Sequence, residues 1–192
     1  MALLLLVAFL SFAVLGRILI QYYYTGDHGV RLAKPTAAPL EIIPGVTFVL
    51  SFLVSAVLIV YHHFGYLAAW QFTFPGISFI AGLAGIAGIV ITLVAQIQMG
   101  KSWRIGVDPG EATELITAGL YARSRNPIYF GVGLYWTGVV LSFPHPAMWV
   151  CALICWLSIE VIVRRIEEPY LHRLHGEAFE NYLQQTNRYR LF

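Results

Sequence analysis

The chain has 192 residues, of which 58% are hydrophobic and only 11% are charged, and its mean hydropathy is +0.70. A water-soluble core of this size could not bury so much apolar surface, so the composition excludes an ordinary soluble domain and predicts a membrane protein. The formal net charge of +2 gives no reason to expect a nucleic-acid partner.

Long apolar stretches dominate the first half of the chain. A helix needs about 20 apolar residues to cross a bilayer, and three stretches of that kind occur before residue 99. Two shorter ones follow a polar interval, and Pro144-His145-Pro146, a strong helix breaker, separates them. The five predicted spans cover Ala2–Tyr22, Ile42–Tyr61, Pro75–Gln98, Ile128–Phe143 and Ala147–Val163.

These stretches predict an all-α polytopic membrane protein with five transmembrane helices, of which the last two form a helical hairpin. No basic residue precedes the first apolar run, which predicts a retained helix and not a cleaved signal peptide. In the third span, small residues four apart (Ala81 with Gly85, Ala84 with Gly88) predict close packing against a neighbouring helix.

The distribution of Lys and Arg predicts the orientation in the membrane. With five spans, the loops after the first and third spans share one side with the C-terminus, and these segments hold every Lys and Arg except Arg17. The positive-inside rule therefore places the N-terminus outside and the amphipathic C-terminal helical segment in the cytoplasm. Arg17, near the end of the first span, is expected to snorkel toward the interface.

Two polar segments flank the predicted hairpin, Glu114–Gly131 before it and Arg164–Glu168 after it. Since a hairpin returns to the side it left, the two segments must lie close together. Ionisable groups at membrane depth are costly and mark functional sites by default. The sequence therefore predicts one polar site at the cytoplasmic surface, built from both segments.

The helix that leaves the fifth span carries charges at four-residue spacing. Glu160 with Arg164, and Arg164 with Glu168, are positioned to form ion pairs on one helix face. Pro169 follows directly and is expected to disrupt the regular helix beyond Arg165. This disruption would bring the chain over the polar site.

Cys151 and Cys155 lie four apart inside the last apolar stretch. On a helix they share a face, but the distance between their Cα atoms is close to the upper limit for a disulfide. Glu160 is the one metal-ligating side chain near them in sequence, so no metal site is predicted. Packing is the expected role of both thiols.

Both polar segments carry a recognisable pattern. The first contains Leu115-Ile116, Gly119-Leu120-Tyr121 and Arg125-Asn126-Pro127-Ile128-Tyr129-Phe130-Gly131. The second contains Glu167-Glu168-Pro169-Tyr170-Leu171, followed by Gly176-Glu177 and Tyr182. Together, over about residues 99–189, they resemble the isoprenylcysteine carboxyl methyltransferases. That family usually has His where this chain has Asn126, whose amide can still donate and accept hydrogen bonds.

The resemblance implies an integral membrane enzyme that transfers a methyl group from S-adenosyl-L-methionine to the carboxylate of a lipophilic acceptor, such as a C-terminal prenylated cysteine. Such a carboxylate is ionised near pH 7 and needs no general base. The enzyme must instead align the reacting groups and exclude water. The apolar spans predict a three-helix membrane region over residues 1–98, and with the resemblance they predict a cofactor-binding region over 99–192, integrated with it in one domain.

The resemblance further implies roles for individual residues. Arg173, or alternatively Arg164, would bind the acceptor carboxylate, and Glu168 would join Glu167 in countering the positive charges of the cofactor. The cofactor pocket, under the C-terminal segment, would be lined by Glu114, Leu115, Ile116, Tyr121, Asn126, Pro127, Ile128, Tyr129 and Glu167.

Other functions remain open from the sequence. Methylation of a phospholipid headgroup amine would require a deprotonated amine and so favours a base over Arg173. Membrane sterol reductases share similar C-terminal signatures but use NADPH, and the short chain argues against that class. A non-catalytic membrane scaffold would bind no cofactor. The expected partners are a lipophilic substrate and membrane lipid, without nucleic acid or metal.

Overall fold

The computed structural model describes residues 1–30, 39–70, 76–104, 106 and 113–191, and these residues are mainly helical, with no β-strand among them. The predicted loop charges Arg31 and Lys34, and Pro75 at the predicted start of the third span, lie outside the described residues. The helices are α1 (Ala2–Thr25), α2 (Pro39–His63), α3 (Ile77–Met99), α4 (Pro127–Ser142), α5 (Pro146–His175) and α6 (Glu177–Gln185).

Four of these helices, α1, α2, α3 and α5, are long and apolar enough to cross a membrane. Helix α4 is also apolar but has 16 residues, which at 1.5 Å per residue gives a length of about 24 Å. The prediction of an all-α polytopic membrane protein is confirmed, and α4 and α5 form the predicted hairpin around Pro144-His145-Pro146.

Successive helices run in opposite directions, so the connections between them lie alternately at the two ends of the bundle, as five successive membrane crossings require. At one end, the Trp70 N–H donates to the Pro144 carbonyl at 2.8 Å, and the His62 ring stacks on Phe143. At the opposite end, the Gln98 side chain of α3 accepts from the Leu120 N–H at 2.8 Å. The second end is called the polar end below. It also contains the C-terminal ends of α1 and α5 and the start of α4.

An aromatic cluster fills the middle of the bundle. Phe9 of α1 stacks on Tyr135 of α4 with ring centroids 4.3 Å apart and on Phe52 of α2 at 5.5 Å. Trp136 meets Phe52 edge-on at 5.3 Å. Three helices therefore converge on one buried contact, which fixes their relative positions.

Helices α3 and α4 pack with almost no side chain between their backbones. A Cβ on Gly88 would overlap the backbone of Tyr135, and one on Gly138 would lie 2.5 Å from the Gly85 nitrogen. Ala81 is fully buried at the same interface. The predicted role of small residues in the third span is confirmed, because a larger side chain at Gly88 would overlap the facing backbone.

Arg17 does not snorkel, so that expectation is wrong. Its side chain is only 3% exposed, its Nη2 donates to the Gly100 carbonyl at 2.6 Å, and its guanidinium lies 4.6 Å from the ring centroid of Trp103. The carbonyl and the indole face offer the guanidinium partners inside the protein, which removes the need to reach the interface. Arg17 thus ties α1 to the turn after α3.

Candidate functional site at the polar end

The centre of the polar end is a contact between the start of α4 and the end of the membrane-crossing part of α5. The Tyr129 hydroxyl donates to Glu167 Oε1 at 2.7 Å, although the two residues are 38 positions apart. That distance is typical of a hydrogen bond to a carboxylate. The prediction that the two polar segments lie close together is confirmed by this contact.

Tyr121 forms a wall beside this pair. It lies in a short 3₁₀ turn, Gly119–Ala122, is 6% exposed, and its carbonyl accepts from the Tyr182 hydroxyl at 2.6 Å. Burial raises the pKa of Tyr121 far above its usual range, and the neighbouring Tyr182 and Glu167 raise it further. Tyr121 is therefore a neutral phenol, and α6 is anchored against it.

The segment before α4 pairs with the C-terminal segment as two short parallel stretches. The Arg125 N–H donates to the Asn187 carbonyl at 2.8 Å, and the Asn187 N–H donates to the Arg123 carbonyl at 3.3 Å. The Asn126 side chain donates to the Arg188 carbonyl at 3.1 Å. Residues 186–191 thus form a strap, the C-terminal strap, across the start of α4.

Glu168 holds this strap through charge. Its two oxygens accept from Nε and Nη2 of Arg188, both at 2.9 Å, and Arg125 Nε lies 3.6 Å from Glu168 Oε1. The hydrogen bonds to Glu168 raise the pKa of Arg188. Burial lowers the pKa of Arg125, and Glu168 acts in the opposite direction. The Glu168–Arg188 pair is two-pronged, a geometry that adds specificity as well as energy.

Helix α5 changes its winding where the charges begin. Residues Ile162–Glu167 are π-helical, and α-helix resumes at Glu168. Pro169 has no N–H to give to the preceding turn, so a wider turn there is physically reasonable. The predicted disruption by Pro169 therefore takes the form of a π-helical segment, while the helix continues to His175.

The predicted ion pairs on α5 have different outcomes. Arg164 pairs with Glu160, as the four-residue spacing predicts. The expected pair between Arg164 and Glu168 is wrong, because Glu168 pairs with Arg188 and Arg125 instead. Since a π-helical segment separates residues 164 and 168, their side chains no longer share the face that regular α-helix would give them.

The predicted site residues fall into two groups. The structure brings together Tyr121, Asn126, Pro127, Tyr129, Glu167 and Glu168, all buried or half-buried around the strap and the start of α4. Leu115, Ile116 and Ile128 are half-buried, whereas Glu114, Arg164 and Arg173 are exposed.

Several residues that build the site carried no signal in the sequence. Arg188 lies 20 positions from Glu168, and no helix period or motif spacing connects them. Ser124, fully buried, donates its hydroxyl to the Arg188 carbonyl at 3.3 Å. The acidic residues Glu167 and Glu168 on α5, and the basic residues Arg188 and Arg190 in the tail, are the hint that the sequence offers.

Among the described residues, no group of three or more His, Cys, Asp or Glu side chains is arranged to hold a metal ion. Cys151 and Cys155 are free thiols and buried, in agreement with the packing role expected of them. The described part of the site contains carboxylates, phenols, guanidinium groups, the Ser124 hydroxyl, the Asn126 side-chain amide and backbone amides.

Fold and site together define a polytopic all-α membrane protein with a polar, partly buried site at one end of its helical bundle. The profile of the family described as phospholipid methyltransferase matches residues 77–178, just over half of the chain. The chain belongs to the phospholipid methyltransferase family. A comparison with curated proteins gave no match.

Membership of this family makes the protein an integral membrane methyltransferase that acts on a lipophilic acceptor. The matched residues run from the start of α3 to the start of α6 and include both Tyr129 and Glu167. The predicted membrane methyltransferase is thus confirmed at the level of the family. The narrower resemblance to isoprenylcysteine carboxyl methyltransferases stays a prediction.

Proposed function

We propose that the protein transfers a methyl group from S-adenosylmethionine to the carboxylate of a lipophilic acceptor, such as a C-terminal prenylated cysteine. The observation that carries this proposal is the Glu167 carboxylate, which Tyr129 holds within the family-matched helices. S-adenosylmethionine, when bound, supplies an electrophilic methyl group on a positively charged sulfonium and also carries an ammonium group. A half-buried carboxylate is complementary to such charges.

The residues around Glu167 fit a cofactor of this kind. Oε1 accepts from Tyr129, and a carboxylate has a second oxygen, Oε2, with which it can accept from a donor of the ligand. Tyr121 offers a neutral aromatic wall. We assign the apolar part of the cofactor to the half-buried side chains of Leu115 and Ile116, which supports the proposed lining.

The remaining lining residues would contribute in different ways. Asn126 and Pro127 lie under the C-terminal strap, which would then roof the pocket, as the resemblance implies. Ile128 directly follows Pro127 and is half-buried, and Glu114 is exposed. Both oxygens of Glu168 are engaged by Arg188, so we assign Glu168 to positioning the strap.

The acceptor needs a cation for its carboxylate and an apolar surface for its chain. Arg173 is exposed on the last turns of α5, and Arg164 is exposed beside Glu160; we assign the carboxylate to Arg173, with Arg164 as the alternative. A groove of about 200 Å³ between α4 and α5 is mostly apolar, with Trp136 and Trp156 in its lining. An acceptor chain could lie in it.

A phospholipid headgroup amine is the second candidate acceptor, because the family is described by its action on phospholipids. An amine would have to lose a proton before it accepts a methyl group. Glu160 of α5 directly follows Ile159, a residue of the groove lining. Glu160 is already ion-paired with Arg164, which makes it a poor base for deprotonating an amine. We therefore prefer the carboxylate acceptor.

Product chemistry separates the two acceptors in one experiment. The purified chain in lipid nanodiscs is given methyl-labelled S-adenosylmethionine with either N-acetyl-S-farnesylcysteine or phosphatidylethanolamine. A methyl ester releases labelled methanol in mild base, whereas an N-methyl group stays on the lipid. We expect base-labile label with the farnesylcysteine, and loss of most of it in Arg173→Ala but not in Arg190→Ala, a control at an exposed arginine.

Each outcome has a clear consequence. Base-stable label on the phospholipid would replace the carboxylate acceptor by the amine. Absence of label with both acceptors, on protein that binds S-adenosylhomocysteine, would reject both acceptors while leaving the cofactor in place. Full activity of Arg173→Ala would remove Arg173 from the site.

A further inference from the structure

The C-terminal strap and the groove between α4 and α5 meet at one aromatic contact. Tyr189 of the strap packs against Trp156 of α5, with ring centroids 5.1 Å apart and ring planes tilted by 56°. Trp156 belongs to the lining of the groove and is 39% exposed, whereas Tyr189 is half-buried against the helical core. The Trp156 indole therefore borders the groove and also contacts the strap.

This contact lies where the groove approaches the polar end. The groove begins beside the hairpin turn at Leu141, and Ile159 is the lining residue farthest along α5. Burial raises the pKa of the Tyr189 phenol, and the carboxylate of Glu160, which directly follows Ile159, raises it further. The phenol is therefore neutral and lies close to Glu160, at the mouth of the groove.

The same strap covers the start of α4. The N–H groups of Arg125 and Asn126 donate to the carbonyls of Asn187 and Arg188, at 2.8 Å and 3.1 Å. Tyr189 follows Arg188 directly. The residue that contacts the groove wall is thus bonded to the segment that would roof the cofactor pocket, and a movement of the strap would displace both.

We propose that Tyr189 is a positioning residue that couples the two substrates: an acceptor chain in the groove stabilises the closed strap, and the closed strap favours the methyl donor. This inference rests on the acceptor and cofactor sites of the proposed function. Tyr189 supports the Trp156 indole only while the strap is closed, so an occupant of the groove meets a fixed wall only in that state. A ligand that binds one state more tightly shifts the population toward it, and such coupling is reciprocal.

Hydrogen–deuterium exchange tests the coupling without any cofactor. The purified chain in lipid nanodiscs is measured with and without saturating N-acetyl-S-farnesylcysteine, and the readout is the amides of Arg125, Asn126 and Asn187, which join the strap to the segment before α4. We expect these amides to exchange about fivefold more slowly with the ligand, at the lower end of typical coupling between sites. Tyr189→Ala should abolish the slowing, and Tyr189→Phe, which keeps the ring against Trp156, should retain it.

Trp149→Ala is the matched control for Trp156→Ala. Both indoles line the groove, but Trp149 lies seven positions earlier on α5, which is about 10 Å along the helix axis and away from Tyr189. At saturating ligand, we expect the slowing to persist in Trp149→Ala and to disappear in Trp156→Ala. This pair of variants separates loss of the groove wall from loss of the contact with the strap.

Titration calorimetry then measures the effect on the methyl-donor site. We expect saturating N-acetyl-S-farnesylcysteine to tighten the binding of S-adenosylhomocysteine about fivefold in the unaltered chain and in Tyr189→Phe, but not in Tyr189→Ala. Unchanged exchange with the ligand bound, or equal slowing in Tyr189→Ala, would overturn the coupling and leave the proposed function in place. Slowed exchange in a chain that binds no S-adenosylhomocysteine would reject the proposed methyl donor but support the coupling of groove and strap.

Discussion

At the scale of single residues, the site depends on side chains that acquire their roles from partners far away in the chain. Glu167 and Tyr129 are separated by the whole hairpin, yet they share one hydrogen bond. The sequence predicts both as site residues, because each belongs to a motif beside the hairpin. It could not predict Arg188, since its partnership with Glu168 arises only from the path of the C-terminal strap.

The phenol of Tyr129 is expected to keep the Glu167 carboxylate in place for the cofactor. Tyr129→Phe removes one hydrogen bond to a charged group, worth about 1.5–3 kcal/mol, and leaves the ring in place. The affinity for S-adenosylhomocysteine, measured by titration calorimetry in detergent, should fall about tenfold or more. Tyr66→Phe, at an exposed position away from the polar end, should change nothing; an equal loss in both variants would contradict this role for Tyr129.

At the scale of elements, the C-terminal strap and the α3–α4 interface were predictable to different degrees. Small residues spaced by four in the third span predicted the interface, because this spacing is typical of membrane helices that pack closely together. The π-helical segment Ile162–Glu167 was not predictable in this form, since Pro169 indicates disruption of a helix but not which geometry absorbs it. The strap lacks any periodic pattern, so only the structure shows it.

The strap is expected to loosen when its ion pair is removed. In Arg188→Gln, the two bonds to Glu168 are lost, while the backbone bonds of Arg125 and Asn187 remain. The amides of these two residues should then exchange with deuterium about tenfold faster, which corresponds to about 1.4 kcal/mol. Arg190→Gln, two positions along and exposed, is the matched control, and unchanged exchange in Arg188→Gln would show that the pair does not hold the strap.

The α3–α4 interface offers a matched pair of glycines within one helix. A Cβ on Gly131 would overlap Thr92 and the Gly88 carbonyl, whereas a Cβ on Gly133 meets nothing within 4 Å. Gly131→Ala should therefore cost about 1–3 kcal/mol through overpacking and lower the thermal midpoint by several degrees. Gly133→Ala should leave the midpoint unchanged or raise it. Equal midpoints for the two variants would argue against this close packing.

At the scale of the whole molecule, the number and order of helices followed from hydropathy, because a bilayer allows few alternatives to spanning helices. The burial of Arg17 did not follow, since its partners Gly100 and Trp103 are more than eighty positions away. Orientation rests on the asymmetry of Lys and Arg alone. We propose on that basis an outside N-terminus, with the site and the C-terminus in the cytoplasm.

Cysteine labelling tests the orientation. Cys151 and Cys155 are buried, so new cysteines at exposed positions should dominate the reaction with an impermeant maleimide. Tyr66→Cys lies in the segment between α2 and α3, away from the polar end, and Arg190→Cys lies in the strap. In intact cells we expect Tyr66→Cys to be labelled and Arg190→Cys to react only after lysis. The reverse pattern would place the site outside.

The central claim is that Glu167 helps to form a binding site for a methyl donor, and titration calorimetry of the purified chain in detergent tests it most directly. We predict heat of binding with S-adenosylhomocysteine, none with NADPH, and an affinity at least tenfold lower in Glu167→Gln. Glu177→Gln, an exposed carboxylate on α6, should bind like the unaltered chain. No heat with S-adenosylhomocysteine on folded protein, or heat with NADPH instead, would contradict the claim.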